Sequence, residues 1–185
     1  MAKQFPELTD AHRSYIARQH IFFTPTAPPT GRVNVSPRST TALKLLGPNA
    51  LVYLDRTGSS NEAAAHLKLS DRMTIMFCAM DGPPQIMRLY GRGRIIRRGS
   101  AEYDALLDSA FAGDEPGGAR QMVHLDFDLV QTSCGYGVPL HNYEGERPSL
   151  DNWAANKSAE ELEAYQRQKN QVSIDGFPTG LFEDA

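Results

Sequence analysis

The sequence predicts a mainly β protein, an antiparallel barrel of roughly six strands with helices covering its ends. Short segments typical of strands are separated by turn-forming residues, and the segment 85–97 is a long strand with two internal glycines, Gly91 and Gly93. Glycines inside a strand indicate a bulge or a barrel corner. Helical segments are interspersed without regular strand–helix–strand alternation, which argues against a doubly wound parallel sheet.

The elements follow from local patterns taken in chain order. The predicted strands cover 21–24, 32–36, 50–54, 73–80, 85–97 and 123–132. Pro25 and Pro37 are expected to end the first two strands, and the turn at 27–31 predicts that these strands form a hairpin. The predicted helices cover 9–19, 62–67, 100–111 and 158–170, the last beginning at a Ser158–Glu161 capping box.

Size and composition are those of one ordinary globular domain. The 185 residues carry 41% hydrophobic and 22% charged side chains, with a net charge of −3. An acidic balance argues against nucleic-acid or anionic-membrane binding, and no apolar run is long enough to span a bilayer. The first eight residues lack the apolar core of a signal peptide, and Cys78 and Cys134 show no metal-type pairing. We therefore expect one cytoplasmic domain with free thiols and no metal site.

The first candidate site is the strand segment Asn34, Ser36 and Arg38. Period-two alternation places these side chains on one face, where an amide, a hydroxyl and a guanidinium could hold a phosphate. The alternative is the polar outer face of a strand.

The second candidate is the polar loop 57–61, which leads directly into a helix. Free backbone amides and the helix dipole favour an anion at such a point, although Glu62 in the first turn competes with it. The alternative is that Ser60 or Asn61 caps the helix.

Two further segments carry unusual side chains. Arg88, Tyr90, Arg92 and Arg94 share one strand face, where a cofactor phosphate, carboxylates of a partner or solvent would offset the positive charge. The segment 133–139 contains two glycines and a proline, which indicate a tight chain path or close approach of the backbone to a ligand. Cys134 within it fits a structural thiol better than a nucleophile.

Seven motifs together resemble the pyridoxamine 5'-phosphate oxidase-like family of FMN-binding split-barrel proteins, including a bacterial and fungal branch with the SCGYGVP element. The motifs are QHIFF (19–23), NVSPR (34–38), YLD (53–55), TGSSNEAAAHL (57–67), MFC (76–78), RLYGRGR (88–94) and SCGYGVP (133–139). The resemblance covers about residues 16–140, and the tail elements at 169–170 and 173–176 are similar to the same branch.

The resemblance implies a six-stranded antiparallel split barrel that forms a homodimer and binds FMN at the dimer interface. Strand 53–56 would line the flavin ring, and two arginines of strand 85–97 would approach the ring or the phosphate. The implied cofactor-binding residues are Asn34, Ser36, Arg38, Tyr53, Asp55, Ser59, Ser60, Asn61, Arg88 and Arg92.

One departure bears on the activity. The vitamin-B6 oxidases end in an Arg-x-His element that grips the substrate phosphate, whereas residues 176–181 here read GFPTGL. We therefore expect an FMN-dependent oxidoreductase acting on another small molecule. The alternatives are a non-catalytic flavin carrier or sensor, and the same barrel holding a deazaflavin or haem. The tail 171–185 is expected either to cross the dimer and close the site or to cover its own subunit.

Overall fold

One curled antiparallel sheet dominates the computed structural model, which describes residues 2–183. Its eight strands are β1 (Lys3–Phe5), β2 (Ile21–Thr26), β3 (Asn34–Ser39), β4 (Leu43–Leu45), β5 (Ala50–Arg56), β6 (Arg72–Cys78), β7 (Ile86–Arg97) and β8 (Ala119–Ser133). The strand order is β3-β2-β6-β7-β8-β5-β4, and β1 pairs with the far end of β8. The predicted split barrel with flanking helices is confirmed, with β1 and β4 as two short additional strands.

Both prolines that were expected to end strands lie inside them instead. Pro37 is tolerated because β3 is an edge strand, where a missing backbone N–H costs no ladder bond. Pro25 faces Val35 of β3, while β6 pairs with β2 at Phe23 and Thr26 on either side of the proline. The first two strands do form the predicted hairpin and are longer than the sequence indicated.

Five α-helices flank the sheet: α1 (Asp10–Ala17), α2 (Glu62–Leu69), α3 (Ala101–Phe111), α4 (Ser149–Ala155) and α5 (Ala159–Lys169). Thr9 caps α1, and the predicted capping box of Ser158 and Glu161 opens α5. Helix α4 was not predicted. No helix within residues 2–183 is both long and apolar enough to cross a membrane.

Two apolar clusters hold these elements together. The larger lies on one face of the sheet and includes Phe22, Leu51, Ile75 and Leu89. The smaller lies beneath α3 on the other face. Helix α2 packs on β2 and β7, so the loop from β5 to α2 is held close to the start of β3. This arrangement positions the candidate site.

Candidate functional site

A pocket of about 500 Å³ opens between the start of β3, the loop before α2 and the segment after α5. Its volume lies in the range of small-molecule sites. The lining residues are Arg32, Val33, Asn34, Ser59, Ser60, Glu62, His66, Lys169, Val172, Ser173 and Ile174. Three residues predicted from the sequence, Asn34, Ser59 and Ser60, therefore meet at one pocket.

The N-terminus of α2 at this pocket lacks a side-chain cap. Asn61 occupies the N-cap position, but its side chain makes no capping hydrogen bond. The capping alternative for Asn61 is thus not observed, and the first-turn amides keep their capacity to bind an anion. The carboxylate of Glu62 accepts hydrogen bonds from the backbone N–H of Ile174 at 3.0 and 3.2 Å. Its oxygens are thereby held by the chain after α5.

A buried polar network fixes the loop that carries Ser59 and Ser60. Arg120 Nη1 donates to the carbonyl of Ser60 and to Asn170 Oδ1, both at 2.9 Å. Asn170 Nδ2 in turn donates to the carbonyl of Gly58 at 3.0 Å. The backbone carbonyls of this loop are thus held from the protein interior. The side chains of Ser59 and Ser60 are exposed at the pocket.

Asp55 joins this network to Arg38. Its carboxylate accepts from Arg120 Nε at 2.9 Å and from Gln121 Nε2 at 2.8 Å, and lies 2.5 Å from Arg38 Nη1. Gln121 also donates to Asn61 Oδ1 at 2.9 Å. Burial alone would raise the pKa of Asp55, but the two guanidiniums outweigh burial and hold this pKa below its ordinary value. Asp55 is therefore a buried anion between two cations.

Three of the predicted cofactor residues thus face the protein interior. Arg38 is turned towards Asp55 and lies over the ring of Tyr53, 5.0 Å from its centroid. Tyr53 and Asp55 are fully buried, and burial raises the pKa of Tyr53 to about 12. None of these three side chains lines the pocket, and a role for them in cofactor binding stays a prediction.

Comparison with known proteins fixes the family. The pyridoxamine 5'-phosphate oxidase family matches residues 8–134, which is more than half of the chain. This protein belongs to that family. It is 35% identical to the pyridoxamine 5'-phosphate oxidase family protein ustO of Aspergillus flavus, over 94% of this chain and 76% of that protein.

Solved structures show the same fold at low sequence identity. A variant of HupZ from Group A Streptococcus aligns with a TM-score of 0.56 at 16% identity, covering 68% of this chain and 98% of that one. A pyridoxamine 5'-phosphate oxidase homologue from Lactobacillus delbrueckii aligns with a TM-score of 0.52 at 15% identity, covering 68% and 94%. At such identities the likeness concerns the fold alone.

The remaining predicted residues lie outside the pocket of this family member. Ser36 lies two residues after Asn34 on the same face of β3, and the two side chains are hydrogen-bonded at 3.2–3.3 Å. On β7, Arg92 pairs with Asp71 at 2.6 Å, and Arg88 donates to the hydroxyl of Ser133 at 3.4 Å. A carboxylate of the same chain, one that was not considered from the sequence, therefore offsets the charge of Arg92.

Residues that sequence reasoning missed complete the pocket. Lys169, at the end of α5, supplies a cation, and His66 supplies a buried imidazole from the second turn of α2. Arg32 and the segment 172–174 close the remaining sides. His66 could have been found from the sequence, because it follows the loop 57–61 by about one helical turn. Lys169 lies more than 100 residues from that loop, so sequence spacing does not connect the two.

The chain after α5 folds back against the segment before β3 and the end of α5. Asp175 accepts from the backbone N–H of Arg32 at 2.7 Å and forms an ion pair with its guanidinium. Thr179 Oγ1 donates to the carbonyl of Asn170 at 2.7 Å, and Val172 bridges to Pro178. These contacts make residues 172–175 a fixed wall of the pocket. Val172 and Ile174 nevertheless stay exposed.

The segment 133–139 follows the tight path that its glycines predicted. Gly135 has φ +66°, and a β-carbon there would lie 2.8 Å from the backbone nitrogen of Gln85. The close approach is thus to the chain itself. Cys134 is exposed and free.

A wider cleft of about 1220 Å³ lies on the other side of α2, beside α3 and α5. It contains several arginines, but Arg94 pairs with Glu102 at 2.5 Å and Arg98 with Glu115 at 2.6 Å. The helix N-termini at this cleft, those of α3 and α5, are capped by Ser100 and Ser158. Because the N-terminus of α2 is uncapped, we favour the smaller pocket as the anion site. Within residues 2–183, no group of three or more His, Cys, Asp or Glu side chains could hold a metal ion.

Proposed function

We propose that this protein binds FMN with the phosphate in the pocket at the N-terminus of α2, and that it is an FMN-dependent oxidoreductase acting on a small molecule. The convergence of an uncapped helix terminus, the two serine hydroxyls and Lys169 at one pocket is the observation that carries the proposal. Each of these groups favours a phosphate, and flavin is the cofactor that the family resemblance implies.

The pocket's residues divide into polar and apolar contributions. Ser59, Ser60 and Asn34 offer hydrogen-bond donors to phosphate oxygens, while Lys169 contributes charge. Val33 and Ile174 add exposed apolar surface beside them. A bound flavin would supply the redox chemistry, and the chain's own residues would bind and orient it.

A charge placed in the pocket tests the phosphate site. We expect Ser60→Glu to weaken FMN binding at least tenfold, because a carboxylate beside the phosphate is repelled at short range. Ser14→Glu, on the exposed face of α1, is the matched control and should bind FMN as the wild type does. Quenching of flavin fluorescence during titration measures both. Equal affinity of Ser60→Glu and wild type would remove the phosphate from this pocket.

The redox role is tested separately. The FMN-loaded protein is mixed anaerobically with NADH or NADPH, and flavin absorbance near 450 nm is followed on the order of minutes. Bleaching would support an oxidoreductase. A flavin that stays oxidised with these donors would favour the carrier or sensor and contradict reduction by nicotinamide cofactors.

A further inference from the structure

His66 has an unusual position in the pocket wall. Its side chain is 1% exposed, yet its Nε2 atom has no hydrogen-bond partner among residues 2–183. The nearest charged oxygen, Glu62 Oε2, lies 3.8 Å away and is held by the backbone N–H of Ile174. A buried polar atom without a partner costs free energy, so its retention at a pocket wall requires an explanation such as a bound ion or ligand.

The other ring nitrogen is held from the sheet. His66 Nδ1 lies 3.0 Å from Thr26 Oγ1, and within the described chain this is the single side-chain hydrogen bond of Thr26. Thr26 is 2% exposed. If the hydroxyl accepted a proton from Nδ1, its own hydrogen would be buried without an acceptor. If it donates to Nδ1, the hydroxyl and Nδ1 are both satisfied, and the ring proton is carried by Nε2.

We propose that His66 binds the phosphate monoester of the ligand by donating Nε2–H to a phosphate oxygen, and that Thr26 is the positioning residue that fixes this tautomer. The inference rests on the proposed function, because it assigns a contact within the same pocket. It adds to a donor set that includes the exposed serines, Asn34, the helix amides and Lys169. Since the imidazole is buried, the hydrogen bond forms where water is excluded and is therefore stronger.

The test compares FMN with riboflavin, which lacks the phosphate, on each protein variant. Removing one hydrogen bond to a charged group should weaken FMN binding by roughly 10- to 150-fold in His66→Leu and leave riboflavin affinity unchanged. His66→Phe, which keeps a planar ring, should give the same result. Thr26→Val, which removes the hydroxyl at nearly constant shape, should weaken FMN alone by roughly 2- to 12-fold. His124→Leu, at a buried histidine of β8, is the control and should retain the wild-type preference.

Each outcome has one meaning. A purely structural role for His66 would lower both affinities together, and this would overturn the inference. If the folded His66 variants prefer FMN over riboflavin as strongly as the wild type does, the inference is overturned as well. If Thr26→Val keeps the wild-type preference, Thr26 has no positioning role. If the wild type itself binds FMN no better than riboflavin, the proposed function fails, and that result is distinguishable from failure at His66.

Discussion

At the scale of single residues, the most consequential side chain is Asp55. Its carboxylate is fully buried between Arg38 and Arg120, and through Gln121 it reaches Asn61 of the loop before α2. Asp55 and Arg38 thus belong to the scaffold behind the pocket, and their predicted contact with a cofactor stays a prediction. A buried pair of this kind is costly to break, because the remaining charge has no partner.

We expect Asp55→Asn to lower the free energy of unfolding by about 3–5 kcal/mol, since two largely buried guanidiniums lose their carboxylate. The folded-state pKa of Asp55 lies below its ordinary value of 3.8. Its contribution is therefore complete above the unfolded-state pKa and is lost as pH falls through the folded-state value. Urea unfolding between neutral pH and acid should show this loss in wild type and not in the variant.

The control for this prediction is Glu163→Gln, at an exposed ion pair of α5, which should change the free energy of unfolding by less than about 1 kcal/mol. A neutral effect of Asp55→Asn would contradict the network's role.

The same residues show how far the sequence predicts the site. Alternation correctly placed Asn34, Ser36 and Arg38 on one face of β3, and this face points inwards while Val33 and Val35 point outwards. Alternation alone does not say which face is buried. Arg38 points into the interior because its partner Asp55 lies on β5, seventeen positions away in the chain, and no local pattern reports that pairing. The position of Ser59 and Ser60 at the N-terminus of α2 was predictable because the loop and the helix are contiguous in sequence.

At the scale of elements, the long β7–β8 ladder depends on one irregular point. The register between these strands shifts at Tyr90 and Gly91. A β-carbon on Gly91 would lie 1.9 Å from the carbonyl oxygen of Asp126 and 2.6 Å from the Cα atom of Phe127. The glycine is needed because two backbones approach closely at the bulge. The sequence indicated a bulge or corner on this strand, and the structure places it at this glycine.

Gly91→Ala should consequently destabilise the protein by about 1–3 kcal/mol or more, because a methyl group meets rigid backbone there. Thermal or urea unfolding measures the change. Gly47→Ala is the control, since a β-carbon at Gly47 would meet no described atom within 4 Å. This control should shift stability by less than about 1 kcal/mol. Equal stability of the two variants would mean that the strands can separate at the bulge without cost.

At the scale of the whole molecule, the edge of the sheet beside the pocket carries exposed apolar side chains. Val33, just before β3, is 68% exposed, and Val35, within β3, is 56% exposed. Ile174 beside them is 73% exposed. An exposed apolar edge strand is a surface that soluble proteins ordinarily cover. The C-terminal segment leaves these residues uncovered, and a second copy of the chain is the partner that the family resemblance implies.

We therefore predict a homodimer formed through this edge. Light scattering at micromolar concentration should give twice the chain mass of 20.4 kDa. Val35→Lys should shift the protein towards the monomer, because a charge at the centre of an apolar contact is desolvated without a partner. Leu46→Lys, just beyond β4 at the opposite edge of the sheet, should stay dimeric. A monomeric wild type, or a Val35→Lys variant as dimeric as the control, would show that this edge is not the interface.

The central claim is that the pocket at the N-terminus of α2 recognises the phosphate end of FMN. The most direct measurement is the ratio of dissociation constants for riboflavin and FMN on the wild-type protein, obtained by fluorescence titration under identical conditions. Charge-assisted hydrogen bonds to the phosphate contribute about 1.5–3 kcal/mol each, so FMN should bind at least roughly tenfold more tightly. Equal affinities, or no binding of either flavin, would contradict the assignment of this pocket.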